Sequence, residues 1–390
     1  MKERLKFVSH YLDGELSMSA LCREFGISRK TGYKLIRRFA EDPENGLKNH
    51  SRAPHDHPNA VSDELVALIV AARRRHPTWG PKKLRAWLER TDISRAWPAA
   101  STIGDILRRC GLSVPRRRSR KTVIYQEPFV GCDYPNAVWS ADFKGWFMTG
   151  DGTRCDPLTI SDNYSRYLLR CQAMPSPDYI HVQPVFTAAF REYGLPVAIR
   201  TDNGAPFATT TVGGLSRLSI WWLKLGIIPE RIVPGHPEQN GRHERMHRTL
   251  KRETATPPHK SWRAQQRAFD RFRREYNQER PHEALDQAIP ASLYHTSPQT
   301  YPLIVPAMTY PDDMLVRAVK SQGDISWKSR HVYLSETLAG ELVGLRQVDD
   351  RFYDIYFGPI RVALLDAYEK RLKHLPRSKK TKEHDHEKLE

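Results

Sequence analysis

The chain has 390 residues, 39% hydrophobic and 27% charged, which suits two to four domains with real cores. No apolar run approaches a membrane span and the start, MKERLKFVSHYLDGE, lacks a signal peptide's apolar centre, so the expectation is a cytoplasmic protein with no membrane partner, nucleoid-associated if it meets DNA. The net charge is +17, and residues 1–121 carry 26 Lys and Arg against 13 Asp and Glu, a bias toward a polyanion such as nucleic acid; five widely spaced cysteines without a CxxC pair or Cys/His finger spacing support neither a disulfide framework nor a structural zinc.

Residues 16–39, LSMSALCREFGISRKTGYKLIRRF, predict two helices. Ser17 or Ser19 caps the first, which turns Leu21 and Phe25 inward. Gly26 permits a tight turn, and Ser28 caps the second helix, with Leu35 and Ile36 buried. Arg29, Lys30, Lys34, Arg37 and Arg38 stay outside. An ordinary helical hairpin gives a similar pattern, but the basic face sized for a major groove favours a DNA-binding helix-turn-helix. Residues 43–61 read as a linker. Helical pattern returns over 61–74, restarts after Gly80-Pro81 with Leu84, Trp87 and Leu88 inward, and follows again over 101–112 behind Ser101 as a cap. This is a second helical DNA-binding unit, with Trp79 and Trp87 read as core. PRRRSRK (115–121) is a basic connector suited to phosphate, or a solvated hinge.

From Val123 the composition turns apolar, β-branched and aromatic. Residues 137–147, 157–161 and 167–173 read as strands, with TGDGT (149–153) closing an antiparallel hairpin between the first two. A helix bearing Val182, Phe186, Phe190 and Tyr193 closes at Gly194. Then come a strand at 197–200, a helix near 215–225, a short strand at 231–233, a polar loop and a long basic helix. That order predicts a mixed sheet with helices on both faces. Residues 314–362 are β-rich and fit a small barrel or sandwich, and the charged end, RLKHLPRSKKTKEHDHEKLE, reads as disordered.

Two apolar runs deliver an aspartate at a strand edge: Asp142 in AVWSADFKGWF and Asp202 in AIRTDNGAPF. Rigid carboxylates of this kind hold metal ions, and a third acid would complete a site. Glu238, in a Pro/Gly-rich loop, competes with Glu244, which follows the turn residues Asn240 and Gly241 at the start of the basic helix. There Arg248 and Lys251 stack on the face of Glu244 while Met246 and Leu250 point away, so one helix can offer a carboxylate to metal and cations to DNA phosphate. A helix holds a ligand more rigidly than a loop, which favours Glu244. Asn203 and Gly204 read as shaping the turn that sets Asp202. Asp162, four residues before Arg166, reads as half of a structural ion pair. His236, His243 and His247 leave a His₂-carboxylate metal site as a minor alternative.

WSADF, TDNGAPF and P-x-x-P-x-QNG-x-x-ER, in this order, resemble the catalytic motifs of the DDE integrase/transposase superfamily, and most nearly those of bacterial insertion-sequence transposases with a retroviral-integrase-like core. YNQERPHEALDQAIPASLY (276–294) resembles the segment after that core. The likeness covers residues 126–294, and a helix-turn-helix is usual in the group. It implies an RNase H-like fold and assigns the catalytic, metal-binding triad to Asp142, Asp202 and Glu244, in agreement with the preference for Glu244 over Glu238. The interval from Asp202 to Glu244 is longer than in the compact retroviral type, and residues 210–222 are expected to fill it as an added loop or lengthened helix. The layout expected is multidomain α/β: a helix-turn-helix at 1–45, a linker at 46–60, a second helical domain with basic connector at 61–121, an RNase H-like core at 122–300, a small β-rich, barrel-like domain at 301–365 and a tail at 366–390.

Three carboxylates suit Mg²⁺ (or Mn²⁺), two ions per active site and about 3.5–4 Å apart, a spacing that serves both the attacking and the leaving oxygen of an in-line displacement. The expected function is a DNA transposase that binds the terminal inverted repeats of a mobile element and catalyses strand cleavage and strand transfer. Its partners are double-stranded element ends and target DNA, contacted by Arg29, Lys30, Lys34, Arg37, Arg248 and Lys251, and by resemblance a homo-oligomer, dimer or tetramer, assembled on DNA. A domesticated, non-catalytic helix-turn-helix regulator is the alternative, and it predicts a broken triad.

Overall fold

The computed structural model describes residues 2–49, 60–113, 131–209, 212–232 and 241–373. The basic connector at 115–121, the loop with Glu238, Asn240 and His236, and everything from 374 onward lie outside them. The chain divides into two compact units, Met1–Ser62 and Asp63–Glu390.

The first unit is three helices, α1 (Lys2–Leu12), α2 (Met18–Glu24) and α3 (Arg29–Glu41). Ser17 and Ser28 cap α2 and α3, accepting from the Ala20 and Thr31 amides, and Gly26 turns between them at φ +64°. α1, which sequence patterning did not predict, supplies Phe7 and Val8 to a core with Leu21, Cys22, Leu35 and Leu47. Gly32 lets α3 approach this core, for a Cβ there would stand 2.7 Å from Cys22 Sγ and 2.9 Å from Phe7. Two expectations change. Leu47 falls in the expected linker yet is buried, with Arg4 donating to its carbonyl at 2.8 Å. Arg38 is drawn in to donate to the Lys48 carbonyl.

The second unit opens with α4 (Asp63–Arg75), α5 (Pro81–Thr91) and α6 (Ala100–Arg109). Trp79 is fully buried and stacks on His76 at 3.8 Å, as a core residue. Ser101 is no cap: α6 starts one residue earlier, after Ala99, without a side-chain cap bond.

The mixed sheet uses β1 (Val138–Phe143), β4 (Leu158–Asp162), β5 (Leu168–Gln172), β6 (Ala198–Thr201) and β7 (Ile228–Arg231), in the order β5-β4-β1-β6-β7. β1 pairs antiparallel with β4 and parallel with β6. The run at 137–147 breaks at Gly145, and its end forms β2 (Phe147–Met148), which closes a small separate hairpin with β3 (Arg154–Cys155) over the TGDGT turn. The strand expected at 231–233 lies earlier, as β7. Consecutive side chains of a strand face opposite ways, and Leu169 and Leu168 accordingly enter different cores. Leu169 joins Trp139, Ile160 and Ile199 beneath α7 (Tyr179–Tyr193) and α8 (Arg217–Lys224). Leu168 meets α9 (Gly241–Thr254) and α10 (Trp262–Gln278) through Met246, Leu250, Phe269 and Phe272. The long interval before Glu244 therefore holds α8, a core helix begun by a Ser216–Ser219 capping box.

Seven strands follow: β8 (Leu315–Ala318), β9 (Asp324–Trp327), β10 (Arg330–Tyr333), β11 (Leu342–Gln347), β12 (Phe352–Phe357), β13 (Ile360–Asp366) and β14 (Arg371–Lys373). Five make an antiparallel sheet in the order β14-β13-β12-β11-β8, and β9 and β10 form a ribbon. β14 corrects the tail expected from 366: Arg371–Lys373 pair with Leu364–Asp366, and Arg351 holds the buried Asp366 carboxylate at 2.7 Å. This sheet's core includes Leu215, Ile220 and Leu223, so α8 is shared between two cores. No described helix is long and apolar enough to cross a membrane.

Candidate active site

The β1–β6 register sets the two aspartates. Ser140 stands opposite Arg200, the last pair of that ladder, and each strand runs on from there toward its aspartate, Asp142 and Asp202. Asp142 lies within β1 and is also opposite Thr159 of β4. Asp202 directly follows β6, where its Oδ1 accepts from the Gly204 amide at 3.1 Å. Asn203 donates through Nδ2 to the Ile232 carbonyl at 2.9 Å. A Cβ on Gly204 would come within 3.2 Å of the Asp202 carboxylate. Both neighbours thus shape the turn that aims Asp202.

Glu244 sits in the first turn of α9, which begins at Gly241. Glu244, Arg248 and Lys251 are exposed, while Met246 and Leu250 are buried on the opposite side. His243 and His247 are buried as well, and both turn to one hydroxyl: Thr159 Oγ1 is 3.2 Å from His243 Nε2 and 2.7 Å from His247 Nε2. That hydroxyl is also 3.1 Å from the Asp142 carbonyl, and His247 Nδ1 is 3.8 Å from Asp142 Oδ2. Burial pushes His243 down to about 4; burial, then the charges of His243 and Lys144, push His247 down to about 2. At neutral pH these imidazoles are uncharged and add no positive charge beside Asp142. They join α9 to the sheet, which is a structural role in place of the His₂-carboxylate alternative.

Among the described residues no group of three or more His, Cys, Asp or Glu is placed to hold a metal ion. Asp142 lies near the end of β1 and Asp202 just past the end of its parallel neighbour β6, and Glu244 stands on α9 without joining them in one cluster. The donors are nevertheless the hard oxygens that Mg²⁺ takes. Asp162 belongs to the scaffold, though not as an ion pair: it is buried and accepts from the Asn136 amide and from both the amide and hydroxyl of Ser165. Burial raises its carboxyl, against which Arg166 acts only weakly and through its charge. Arg29, Lys30, Lys34 and Arg37 are exposed along α3 in the first unit, Arg37 within 3.7 Å of Glu41. Sequence patterning missed the part played by Thr159, whose place in the network depends on strand pairing.

Comparisons with known proteins agree with this layout. A helix-turn-helix domain family matches residues 3–55, a homeodomain-like domain family residues 31–107, and an integrase core domain family residues 225–290. The insertion element IS407 uncharacterized 31.7 kDa protein of Burkholderia multivorans is 28% identical over 281 residues, covering 71% of this chain and 94% of that protein. The insertion element IS476 uncharacterized 39.2 kDa protein of Xanthomonas euvesicatoria is 29% identical over 242 residues, covering 60% of this chain and 66% of that protein. The solved HTLV-2 integrase catalytic core domain in complex with magnesium matches at 15% identity and a TM-score of 0.33, over 42% of this chain and 98% of that one. The family matches and the insertion-element relatives support an insertion-sequence transposase layout, helix-turn-helix domains joined to an integrase-like core.

Proposed function

We propose that the protein cuts the DNA strands at the terminal inverted repeats of a mobile element and joins them to target DNA. What supports this reading is the parallel pairing of β1 with β6, the strands that carry Asp142 and lead into Asp202, together with the basic helix that bears Glu244. Asp142, Asp202 and Glu244 would hold two Mg²⁺ or Mn²⁺ ions, which when bound supply activation of an oxygen nucleophile and neutralisation of charge on the reacting phosphate. The chain's own residues do the rest. Arg248 and Lys251 hold DNA phosphates beside Glu244, the Thr159 network fixes α9 against β1, and the exposed cations of α3 read the element end. An element has two ends and each chain carries one such reading helix, so a dimer or tetramer assembled on DNA is part of the proposal.

The test is a joining assay with Mg²⁺, using oligonucleotides that carry the repeats flanking the gene. Wild type should yield strand-transfer product, and Asp142→Asn, Asp202→Asn and Glu244→Gln proteins should yield none while still binding DNA. Joining that survives the Glu244→Gln change would remove Glu244 from the site. DNA binding without any joining by wild type would point instead to a non-catalytic regulator.

A further inference from the structure

A basic cavity of about 320 Å³ lies beside α9, where α5 meets the segment after α10. Its lining includes Lys83, Arg166, Arg242, Arg245, Arg248 and Arg280. The single acid among its described lining residues, Glu283, is already paired with Lys82 at 3.4 Å. Arg280 is 6% exposed and donates to Glu253 Oε1 at 3.0 Å, and Arg242 donates to the Asn163 carbonyl at 3.1 Å. Arg166 differs, because its Nη1 is buried and has no hydrogen-bond partner among the described residues. A buried donor left unmade is costly and uncommon in a folded protein.

The cations also disturb one another. Burial first, and then Arg280, hold Lys83 down to about 8. Crowding of this kind opposes folding unless something negative enters. Planar guanidinium groups match a phosphate oxyanion with two N–H donors at a time. The cavity's volume falls at the low end of the roughly 300–1,000 Å³ usual for small-ligand sites, room enough for one phosphodiester unit.

We propose that this cavity binds a phosphate of the DNA backbone, gripped by Lys83, Arg166, Arg242, Arg245 and Arg280, and so clamps one strand where α5 meets the core. The proposal rests on the transposase reading above. Arg245 adjoins Glu244 in the chain and Arg248 follows one helical turn later, so the clamped strand is registered against the helix that carries the third carboxylate. The group recognised is a phosphate oxyanion, which free inorganic phosphate also presents, and the experiment separates the two sources.

Full-length wild type, Arg166→Gln and Lys83→Gln proteins are titrated with a duplex oligonucleotide of arbitrary sequence over a series of KCl concentrations. Each variant should bind about tenfold more weakly, with the slope of log K against log salt reduced by about 1. Inorganic phosphate, compared with chloride at equal ionic strength, should raise the wild-type Tm and displace the duplex, and Arg166→Gln should abolish both effects. Wild-type protein that fails to bind the duplex overturns the DNA reading, and the clamp with it. Wild-type binding with unchanged slopes in both variants overturns the clamp and leaves the DNA reading standing. A phosphate-dependent Tm rise lost in Arg166→Gln, with unchanged DNA slopes, makes this a free-phosphate site and overturns the DNA assignment. If Arg166→Gln fails to fold by circular dichroism, Lys83→Gln, at a half-buried position on α5, decides by the same criteria.

Discussion

His247 and Asp142 face each other across the α9–β1 junction, with Nδ1 3.8 Å from Oδ2, and the far side of the same imidazole is held 2.7 Å from Thr159. Since Thr159 also reaches the Asp142 carbonyl at 3.1 Å, one hydroxyl ties the strand that carries the first aspartate to the helix that carries Glu244. Sliding α9 along its axis would leave two buried imidazoles without that partner, which is costly.

Thr159→Val keeps the side chain's shape and removes the hydroxyl. It should lower DNA joining by about 10- to 100-fold, as loss of a group that orients a metal ligand does, with DNA affinity retained. Joining rates at graded Mg²⁺ concentrations measure this, and a wild-type rate would show that the carboxylates are placed without the hub.

Lys34 is exposed on α3, one turn beyond Lys30. Lys34→Gln should reduce the salt slope of DNA binding by about 1, with a loss equal for all sequences if the lysine meets phosphate. A loss confined to element ends would make it a base contact, whereas no loss at all would take it off the interface.

Gly32→Ala forces a Cβ to within 2.7 Å of Cys22 Sγ, and overpacking of this kind costs about 1–3 kcal/mol. All nine tryptophans lie beyond residue 62, so their fluorescence reports only the second unit. In urea, helix circular dichroism from the first unit should be lost earlier while the tryptophan transition stays put. Coincident shifts of both signals would contradict the division into two units.

His282 is held down to about 3 by burial, and next by Lys83 and Arg280, from an ordinary 6.5. The folded form resists the proton, so the unfolded chain takes it up first as pH falls below 6.5. The stability this residue contributes is therefore complete above 6.5 and lost on the descent toward about 3, by up to about 1.4 kcal/mol per pH unit. Urea midpoints of wild type and His282→Gln should converge as the pH is lowered through that window. A constant gap would mean that His282 is protonated in the folded protein too.

Local signals were legible in the sequence wherever one residue type does one job. Ser17 and Ser28 cap their helices, and Gly26 and Gly194 end theirs at φ +64° and +78°. β7 gives no strand signal in sequence because Ile228-Pro229-Glu230-Arg231 has no apolar run and is only half-buried, as a sheet edge allows. α10 carried a readable spacing in Phe269, Phe272 and Tyr276, although its many arginines mask it. In the candidate site the aspartates are visible in sequence as acids at strand edges, but the parallel pairing that makes their strands neighbours joins segments far apart in the chain. The four-residue spacing of Asp162 and Arg166 means contact only in a helix. The backbone there turns through φ +65°, and the side chain lines the basic cavity instead.

α8 has a consequence in time as well as in space. It ends at Lys224, and the sheet that covers its second face starts at Leu315, some ninety residues later. A ribosome must make that whole span before Leu215, Ile220 and Leu223 can leave water. The nascent chain thus holds an unfinished core until late in synthesis, and a product terminated before β8 would present those apolar side chains to chaperones and proteases. Only a polypeptide extended into the sheet from β8 onward completes the second core that α8 serves.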